Sequence, residues 1–132
     1  MIVADVMTRN VVTIGMDDSL EEINRIFEKH KFHHVLVMED KKLMGIISDR
    51  DVLKGVSPFI NTLSEDSRDL KTLQTKAHQI MTRKPVVVIE NYSIKDTANV
   101  FLRKKVSCLP VVSPWGKVIG ILSWKDILRS LV

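Results

Sequence analysis

Short apolar runs alternate with amphipathic stretches along this chain, and the two kinds of segment follow the same order twice. The runs at 11–14 and 86–89 are rich in β-branched residues and are followed by polar turn residues, as strands are. An apolar stripe with helical spacing follows each run and begins at Leu20 and at Ile94. Two further strand-length runs joined by a turn, and a short final helix, complete each half. The pattern therefore predicts two βαββα units and an α/β (α+β) fold.

The longer helices have a recognisable start. Ser19 and Ser93 stand immediately before the two apolar stripes, and Glu22 and Asp96 follow three positions later. A hydroxyl at the N-cap with a carboxylate at N3 forms a capping box, so we expect one at each helix. We also expect helical turns at 4–7 and 77–81, and a helix at 69–76.

The two halves are an internal repeat. Met7-Thr8-Arg9 recurs as Met81-Thr82-Arg83, 74 residues later, and this shift holds through the first strand and helix. Between Gly45 and Gly120 the shift is 75, which places a one-residue insertion in a hairpin turn. We divide the chain into repeat 1 (1–57), a polar connector (58–76) and repeat 2 (77–132).

The most informative repeated segment runs from Gly45 to Asp51 and again from Gly120 to Asp126. Each copy is an apolar strand that ends at a hydroxyl residue, with a carboxylate three positions later where a helix begins. Spacing alone favours a capping box. The same arrangement also suits a ligand, because the backbone N–H groups can bind an anion and the carboxylate can accept hydrogen bonds from the cis hydroxyls of a ribose. One helix end can be capped and bind a ligand at once.

The ligand interpretation assigns a different task to each kind of side chain. A carboxylate repels a phosphate, so Asp51 and Asp126 would take the ribose diol, with the phosphate towards Ser48 or Ser123. Nearby cationic side chains are candidates for phosphate contacts, and so are two histidines that precede a strand: Arg50, Arg83, Lys125, His33 and His34. These histidines lack an acidic or thiol partner at a fixed spacing, so we predict no metal site.

Composition narrows the class of protein. The net charge of +4 favours anionic partners, but 20 basic and 16 acidic residues are interspersed and only 5% of residues are aromatic, which disfavours nucleic-acid binding. No apolar run approaches the roughly 18 residues of a membrane span. The single cysteine, Cys108, cannot form an internal disulfide, and the first residues do not resemble a secretory leader, so we expect a cytoplasmic protein.

The motifs contain none of the residue patterns that are typical of a catalytic site. Gly45 and Gly120 are isolated, and no glycine-rich phosphate loop occurs. No paired acid and base or activated nucleophile is evident, and Cys108 precedes an apolar strand in which a small side chain is simply packed. We therefore expect no catalytic residue, no required cofactor and no enzymatic activity.

The repeated motifs, taken in their order along the chain, resemble a tandem pair of CBS domains. These are regulatory repeats named after cystathionine β-synthase. The resemblance covers nearly the whole chain and depends on Met-Thr-Arg, on Leu109-Pro110-Val111-Val112 and above all on Gly-Ile-Ile-Ser-Asp-Arg-Asp and Gly-Ile-Leu-Ser-Trp-Lys-Asp. It implies two repeats related by an approximate two-fold axis and packed as one module. It also implies two clefts that bind adenosine ligands such as AMP, ADP, ATP or S-adenosylmethionine.

The resemblance also implies roles for individual residues. Asp51 and Asp126 would hold the ribose hydroxyls, and Ser48 and Ser123 would lie near ribose or phosphate. Main-chain groups of the first strands would meet the adenine, here at Val12, Thr13, Val86 and Val87. A homodimer is expected as well, for which the short apolar helices with Val52-Leu53 and Ile127-Leu128-Leu131-Val132 are suited, together with an unidentified regulated protein.

The two copies also differ from one another. Val11 and Leu36 stand where the second copy has Pro85 and Pro110, and Asp49 matches Trp124 within the motif. We therefore expect two clefts that are not equivalent, with the one at Asp126 occupied first. Our interpretation is a regulatory module that senses adenine nucleotides and signals to a partner or through its dimer interface. The alternatives are a ligand-free interaction or scaffold module and, less favoured, a nucleic-acid-binding protein.

Overall fold

The computed structural model describes all 132 residues, and its contacts divide the chain into two compact units. Unit 1 combines residues 1–11 with residues 85–132, and unit 2 consists of residues 12–84. In chain order the elements are α1 (Val3–Val6), β1 (Thr13–Gly15), α2 (Leu20–Lys29), β2 (His34–Glu39), β3 (Lys42–Ser48), α3 (Asp49–Gly55), α4 (Ser67–Thr72), α5 (Ala77–Ile80), β4 (Thr82–Arg83), β5 (Val88–Ile89), α6 (Ile94–Lys104), β6 (Cys108–Val112), β7 (Val118–Ser123) and α7 (Trp124–Ser130). No helix is both long and apolar enough to cross a membrane.

Unit 2 is built on a four-stranded sheet in the order β1-β2-β3-β4. β1 is parallel to β2, with α2 as the crossover, and the other pairs are antiparallel. Val35, Val37 and Ile47 of the central strands are fully buried and belong to one core with Leu20 and Ile23 of α2. Burial of this apolar face is the main stabilising contribution to the unit.

Unit 1 repeats the arrangement with a three-stranded sheet in the order β5-β6-β7. All five residues of β6 are buried, as expected of the central strand. The α1 residue Val3 is fully buried in the same core as Leu109, Val111 and Leu122. The N-terminal residues are therefore a structural part of the unit that contains residues 85–132.

Each unit is completed by a Met-Thr-Arg segment from the other sequence repeat. Thr8 pairs with Ile121 of β7, and Thr82 pairs with Ile46 of β3, both in antiparallel fashion. The glycines of the repeated motif permit this close approach, because a Cβ at Gly120 would lie 2.9 Å from the Thr8 carbonyl oxygen. The sequence repeats and the compact units are thus two different divisions of the chain, and the proposed repeat boundaries stay predictions.

The first strand of each unit is shorter than predicted. The observed strand Val88–Ile89 lies within the run at 86–89, and the observed strand Thr13–Gly15 overlaps the end of the run at 11–14 and extends one residue beyond it. Val11 is occupied in a local turn, because its N–H bonds to the Arg9 carbonyl at 3.0 Å. The helical turns at 4–7 and 77–81 are confirmed as α1 and α5.

The capping of α2 and α6 and the bounds of the connector helix α4 also differ in part from the predictions. Ser19 and Ser93 do cap their helices, accepting the Glu22 and Asp96 N–H groups at 3.2 Å and 3.0 Å. The reciprocal half of each predicted capping box is absent, and Glu22 pairs instead with Arg25 at 2.8 Å. The connector helix lies at Ser67–Thr72 rather than 69–76, because the Asp66 carboxylate caps it earlier.

Candidate ligand site

The first motif joins β3 to α3 through a complete capping box. The Ser48 N–H donates to Asp51 Oδ2 at 2.9 Å, and Ser48 Oγ accepts the Asp51 N–H at 3.1 Å. Val52, the next residue, is buried in the core of unit 2 and holds the helix against the sheet. The predicted cap is therefore confirmed, and it fixes the Asp51 carboxylate at the junction between strand and helix.

The second motif has the same box with additional partners. Asp126 Oδ2 accepts the Ser123 N–H at 2.8 Å and the Ser123 hydroxyl at 3.1 Å, and Asp126 Oδ1 accepts Arg129 Nη1 at 3.2 Å. The Asp126 side chain is only 11% exposed. Asp51, by contrast, forms no ion pair with any lysine or arginine. A ribose diol that binds at Asp126 has to share the carboxylate with Arg129 or displace it. A diol that binds at Asp51 meets no such competing cation.

The two predicted histidines differ in their surroundings. His33 Nδ1 lies 2.8 Å from Asp49 Oδ2, and the His33 carbonyl accepts the Asp49 N–H at 2.9 Å. His34 lies opposite Ser48 in the pairing of β2 with β3. Burial lowers the pKa of His34, and the nearby Asp49 opposes that shift only in part. At neutral pH His34 is therefore neutral, and it can offer a hydrogen bond but not a positive charge.

The remaining predicted residues are distributed between the units. Unit 2 contains Val12, Thr13, Arg50 and Arg83, and unit 1 contains Val86, Val87 and Lys125. Neither Arg50 nor Arg83 forms a hydrogen bond or ion pair with Asp51. Thr13 is exposed on β1, and Val87 is 39% exposed. The structure thus brings Ser48, Asp51 and the histidines together, whereas Arg50 and Arg83 share only the unit with Asp51, and Lys125 lies in the unit of Asp126.

Two cations near the second motif were missed by the sequence interpretation. Arg129 lies three residues after Asp126, a helical spacing that brings opposite charges into contact. Arg9 is the counterpart of Arg83 in the repeated Met-Thr-Arg segment, and it belongs to unit 1 together with Asp126. The repeat itself was the signal that could have identified Arg9.

The aromatic residue of the second motif is also at the surface. Trp124, at the first position of α7, is 46% exposed. The ammonium group of Lys125 lies 5.9 Å from the centroid of its ring, within the range of a cation–π contact. Asp49 occupies the matching position in unit 2, so the surroundings of the two carboxylates differ in charge and in shape.

The only cysteine is buried at the start of β6, opposite Ser123. Burial raises the pKa of the Cys108 thiol to about 12, and the nearby Asp126 adds to the effect. The reactive thiolate is therefore scarce in the folded protein at pH 8. No three His, Cys, Asp or Glu side chains converge as a metal site would require.

We expect Cys108 to resist Ellman's reagent at pH 8 in the native protein and to react fully once guanidinium has unfolded the chain. The measurement is the absorbance of the released thionitrobenzoate over time under the two conditions. Rapid, stoichiometric labelling of the native protein would mean that the thiol is accessible and ionised, contrary to the observed burial.

Comparison with known proteins defines the family. The CBS domain profile matches residues 3–58 and 77–132, so the chain belongs to the CBS domain family. An uncharacterized protein of Methanocaldococcus jannaschii, MJ1426, is 31% identical over the whole chain, which covers 92% of that protein. The homoserine O-acetyltransferase of Methanosarcina acetivorans is 30% identical, but the chain covers only 21% of its length.

Solved structures confirm the mixed α/β fold with two sheets. The chain superimposes on CBSX2 of Arabidopsis thaliana in complex with AMP with a TM-score of 0.80 and 29% identity, covering 98% of this chain and 95% of that one. The CBS domain pair of protein MJ0100, in complex with 5′-methylthioadenosine and S-adenosyl-L-methionine, also gives 0.80, at 25% identity and with coverage of 99% and 95%. The fold and the class of protein predicted from the motifs are therefore confirmed.

Proposed function

We propose that this chain is a regulatory module that binds an adenosine ligand at each of its two motifs. The observation that carries the proposal is the duplicated carboxylate, Asp51 and Asp126, which a serine holds at the same point of both units. AMP, 5′-methylthioadenosine and S-adenosylmethionine, which the related structures contain, share an adenosine group. A site that recognises the ribose and the base would accept all three.

In this proposal the carboxylates of Asp51 and Asp126 accept hydrogen bonds from the two ribose hydroxyls. A carboxylate that is already oriented by a cap loses little conformational freedom on binding. Ser48 and Ser123 lie beside the ribose or phosphate, and the backbone at 12–13 and 86–87 contacts the adenine. Arg50, Arg83, Lys125, His33 and His34 are the candidates for phosphate contacts.

The module would act by coupling ligand binding to a partner. A ligand regulates only if it binds one arrangement of the protein more tightly than another. The proposal includes a homodimer in the cytoplasm and a separate regulated protein, and it assigns no catalysis and no required cofactor to this chain. Leu53, Leu128 and Leu131 are 74%, 52% and 72% exposed and suit a protein contact, whereas Val52 and Ile127 are buried and do not contribute.

A second candidate is a ligand-free interaction module. It is favoured by the Asp126 carboxylate, both oxygens of which are already engaged within the chain. In that case the motif is only a structural cap, and nucleotides would have no effect on stability.

A thermal-shift panel separates the two candidates. We expect at least one of AMP, ADP, ATP or S-adenosylmethionine to raise the melting temperature, because a ligand at 100 times its Kd stabilises the fold by about 2.7 kcal/mol. Guanosine monophosphate is the matched control and should give a smaller shift. No shift with any adenosine ligand at millimolar concentration would favour the ligand-free module.

A further inference from the structure

The arginine of each Met-Thr-Arg segment lies in the unit that contains the motif of the opposite sequence repeat. Thr8 exchanges two hydrogen bonds with Ile121, each of 2.9 Å, so Arg9 follows the edge of β7 in unit 1. Arg83 lies opposite Gly45 on β3 in unit 2. Arg9 is therefore in the unit of Asp126, and Arg83 is in the unit of Asp51.

Both segments are held in the same way. The Met7 N–H donates to the Val3 carbonyl at 2.9 Å, and the Met81 N–H donates to the Ala77 carbonyl at 3.0 Å. Each methionine side chain covers a motif glycine, since a Cβ at Gly120 would lie 2.7 Å from the sulfur of Met7. The position of each arginine is thus fixed by packing as well as by backbone pairing.

The guanidinium groups are also anchored at equivalent places. Arg9 Nη2 donates to the Ala4 carbonyl at 3.4 Å, and Arg83 Nη2 donates to the His78 carbonyl at 3.0 Å. Ala4 lies on α1, which contacts α7, whereas His78 lies on α5, which contacts α3. Each anchor therefore belongs to a helix that packs against the helix of a ligand motif.

Neither guanidinium is neutralised within the chain. Arg9 and Arg83 are exposed and form no ion pair with a carboxylate. A guanidinium has five N–H donors, and one hydrogen bond to a carbonyl leaves enough of them for a bidentate contact with a phosphate. The matched anchoring at two positions that are 74 residues apart indicates a shared task.

We propose that Arg9 binds the phosphate of a nucleotide whose ribose is held by Asp126, and that Arg83 does the same for the Asp51 site. Each site then takes its carboxylate from one sequence repeat and its phosphate-binding cation from the other. This inference rests on the proposed function. It adds Arg9 as a binding residue and predicts that a substitution in one repeat weakens the site of the other.

Calorimetric titration with AMP tests whether each arginine serves the site whose carboxylate comes from the other sequence repeat. The two sites have to be studied one at a time. Asp51→Ala leaves the Asp126 site, and Asp126→Ala leaves the Asp51 site. With only the Asp126 site present, Arg9→Gln should weaken AMP binding about tenfold, because a charge-assisted hydrogen bond is lost, and Arg83→Gln should have less than about a twofold effect. With only the Asp51 site present, Arg83→Gln should weaken AMP binding about tenfold, and Arg9→Gln should have less than about a twofold effect.

Adenosine is the control ligand, because it has the ribose and the base but no phosphate. Its affinity should be the same with and without either arginine. An equal loss for adenosine and AMP would mean that the arginine only maintains the structure, and this would overturn the inference. Loss at the site of the same sequence repeat, or at neither site, would overturn it too. Wild-type protein that does not bind AMP at all would instead refute the proposed function.

Discussion

Replacing Gly45 with alanine is expected to lower the free energy of unfolding of unit 2 by about 2 kcal/mol, the cost of overpacking a close contact. A Cβ at this position would lie 2.5 Å from the Met81 sulfur and 2.8 Å from the Thr82 carbonyl oxygen. The methionine can move, but the carbonyl belongs to β4 and is fixed by its pairing with β3. The substitution should therefore detach the strand that contains Arg83.

Gly15→Ala is the matched control for this prediction. Its Cβ would meet only Asp18 Oδ2, at 3.8 Å, so the stability should be unchanged or up to about 0.5 kcal/mol higher because the unfolded chain loses freedom. Gly120→Ala should resemble Gly45→Ala, since Thr8 and Met7 take the places of Thr82 and Met81. Urea denaturation followed by circular dichroism gives the three values. If Gly45→Ala behaved like Gly15→Ala, the Met-Thr-Arg segment would not pack against β3.

Removing one motif carboxylate is expected to weaken AMP binding at its own site about 100-fold, the cost of losing two hydrogen bonds to a charged group. Asp51→Ala and Asp126→Ala should each leave a single site in a calorimetric titration. Each variant also loses half of its capping box, which costs about 1 kcal/mol of stability, so binding rather than melting temperature is the appropriate measurement.

Asp17→Ala is the control for the carboxylate variants. Asp17 is 80% exposed in the same unit as Asp51 and makes only long contacts, of 3.7 Å with Lys76 and 3.8 Å with His78. Its loss should leave both AMP sites intact. Binding that survives in Asp51→Ala and Asp126→Ala at wild-type affinity would show that the carboxylates are caps and nothing more.

The order in which the two sites are occupied is a separate question. The sequence interpretation predicts that the Asp126 site is occupied first. In the structure Asp126 already accepts hydrogen bonds from Ser123 and Arg129, whereas Asp51 has no cationic partner, and this difference favours the Asp51 site. The Arg129 side chain of this pair is 74% exposed, so the contact is worth about 0.5 kcal/mol and alters the competition by only a few-fold. The predicted order stays untested.

Local sequence signals were enough to predict the repeats and the motif geometry. Where a strand meets a helix, a serine followed by a carboxylate three residues later favours a capping box. The Ser48–Asp51 and Ser123–Asp126 boxes were therefore predictable. Glu22 shows the limit of the same rule. It occupies the N3 position but pairs with Arg25, because a helical neighbour of opposite charge competes for the carboxylate.

The exchange of segments between the repeats was not predictable from local sequence. Met7-Thr8-Arg9 and Met81-Thr82-Arg83 are identical, so either copy could pair with the edge of either motif strand. The choice is made by tertiary packing, through α1 in one core and α5 in the other. For this reason Arg83 was a candidate without an assigned site, and Arg9 was missed.

Calorimetric titration of AMP into the wild-type chain and into the Asp51→Ala, Asp126→Ala double variant tests the central claim most directly. The account predicts saturable binding at two sites per wild-type chain and no binding to the double variant, with circular dichroism confirming that the variant remains folded. Absence of AMP binding to the wild type, or equal binding to both proteins, would contradict a pair of ribose sites anchored by Asp51 and Asp126.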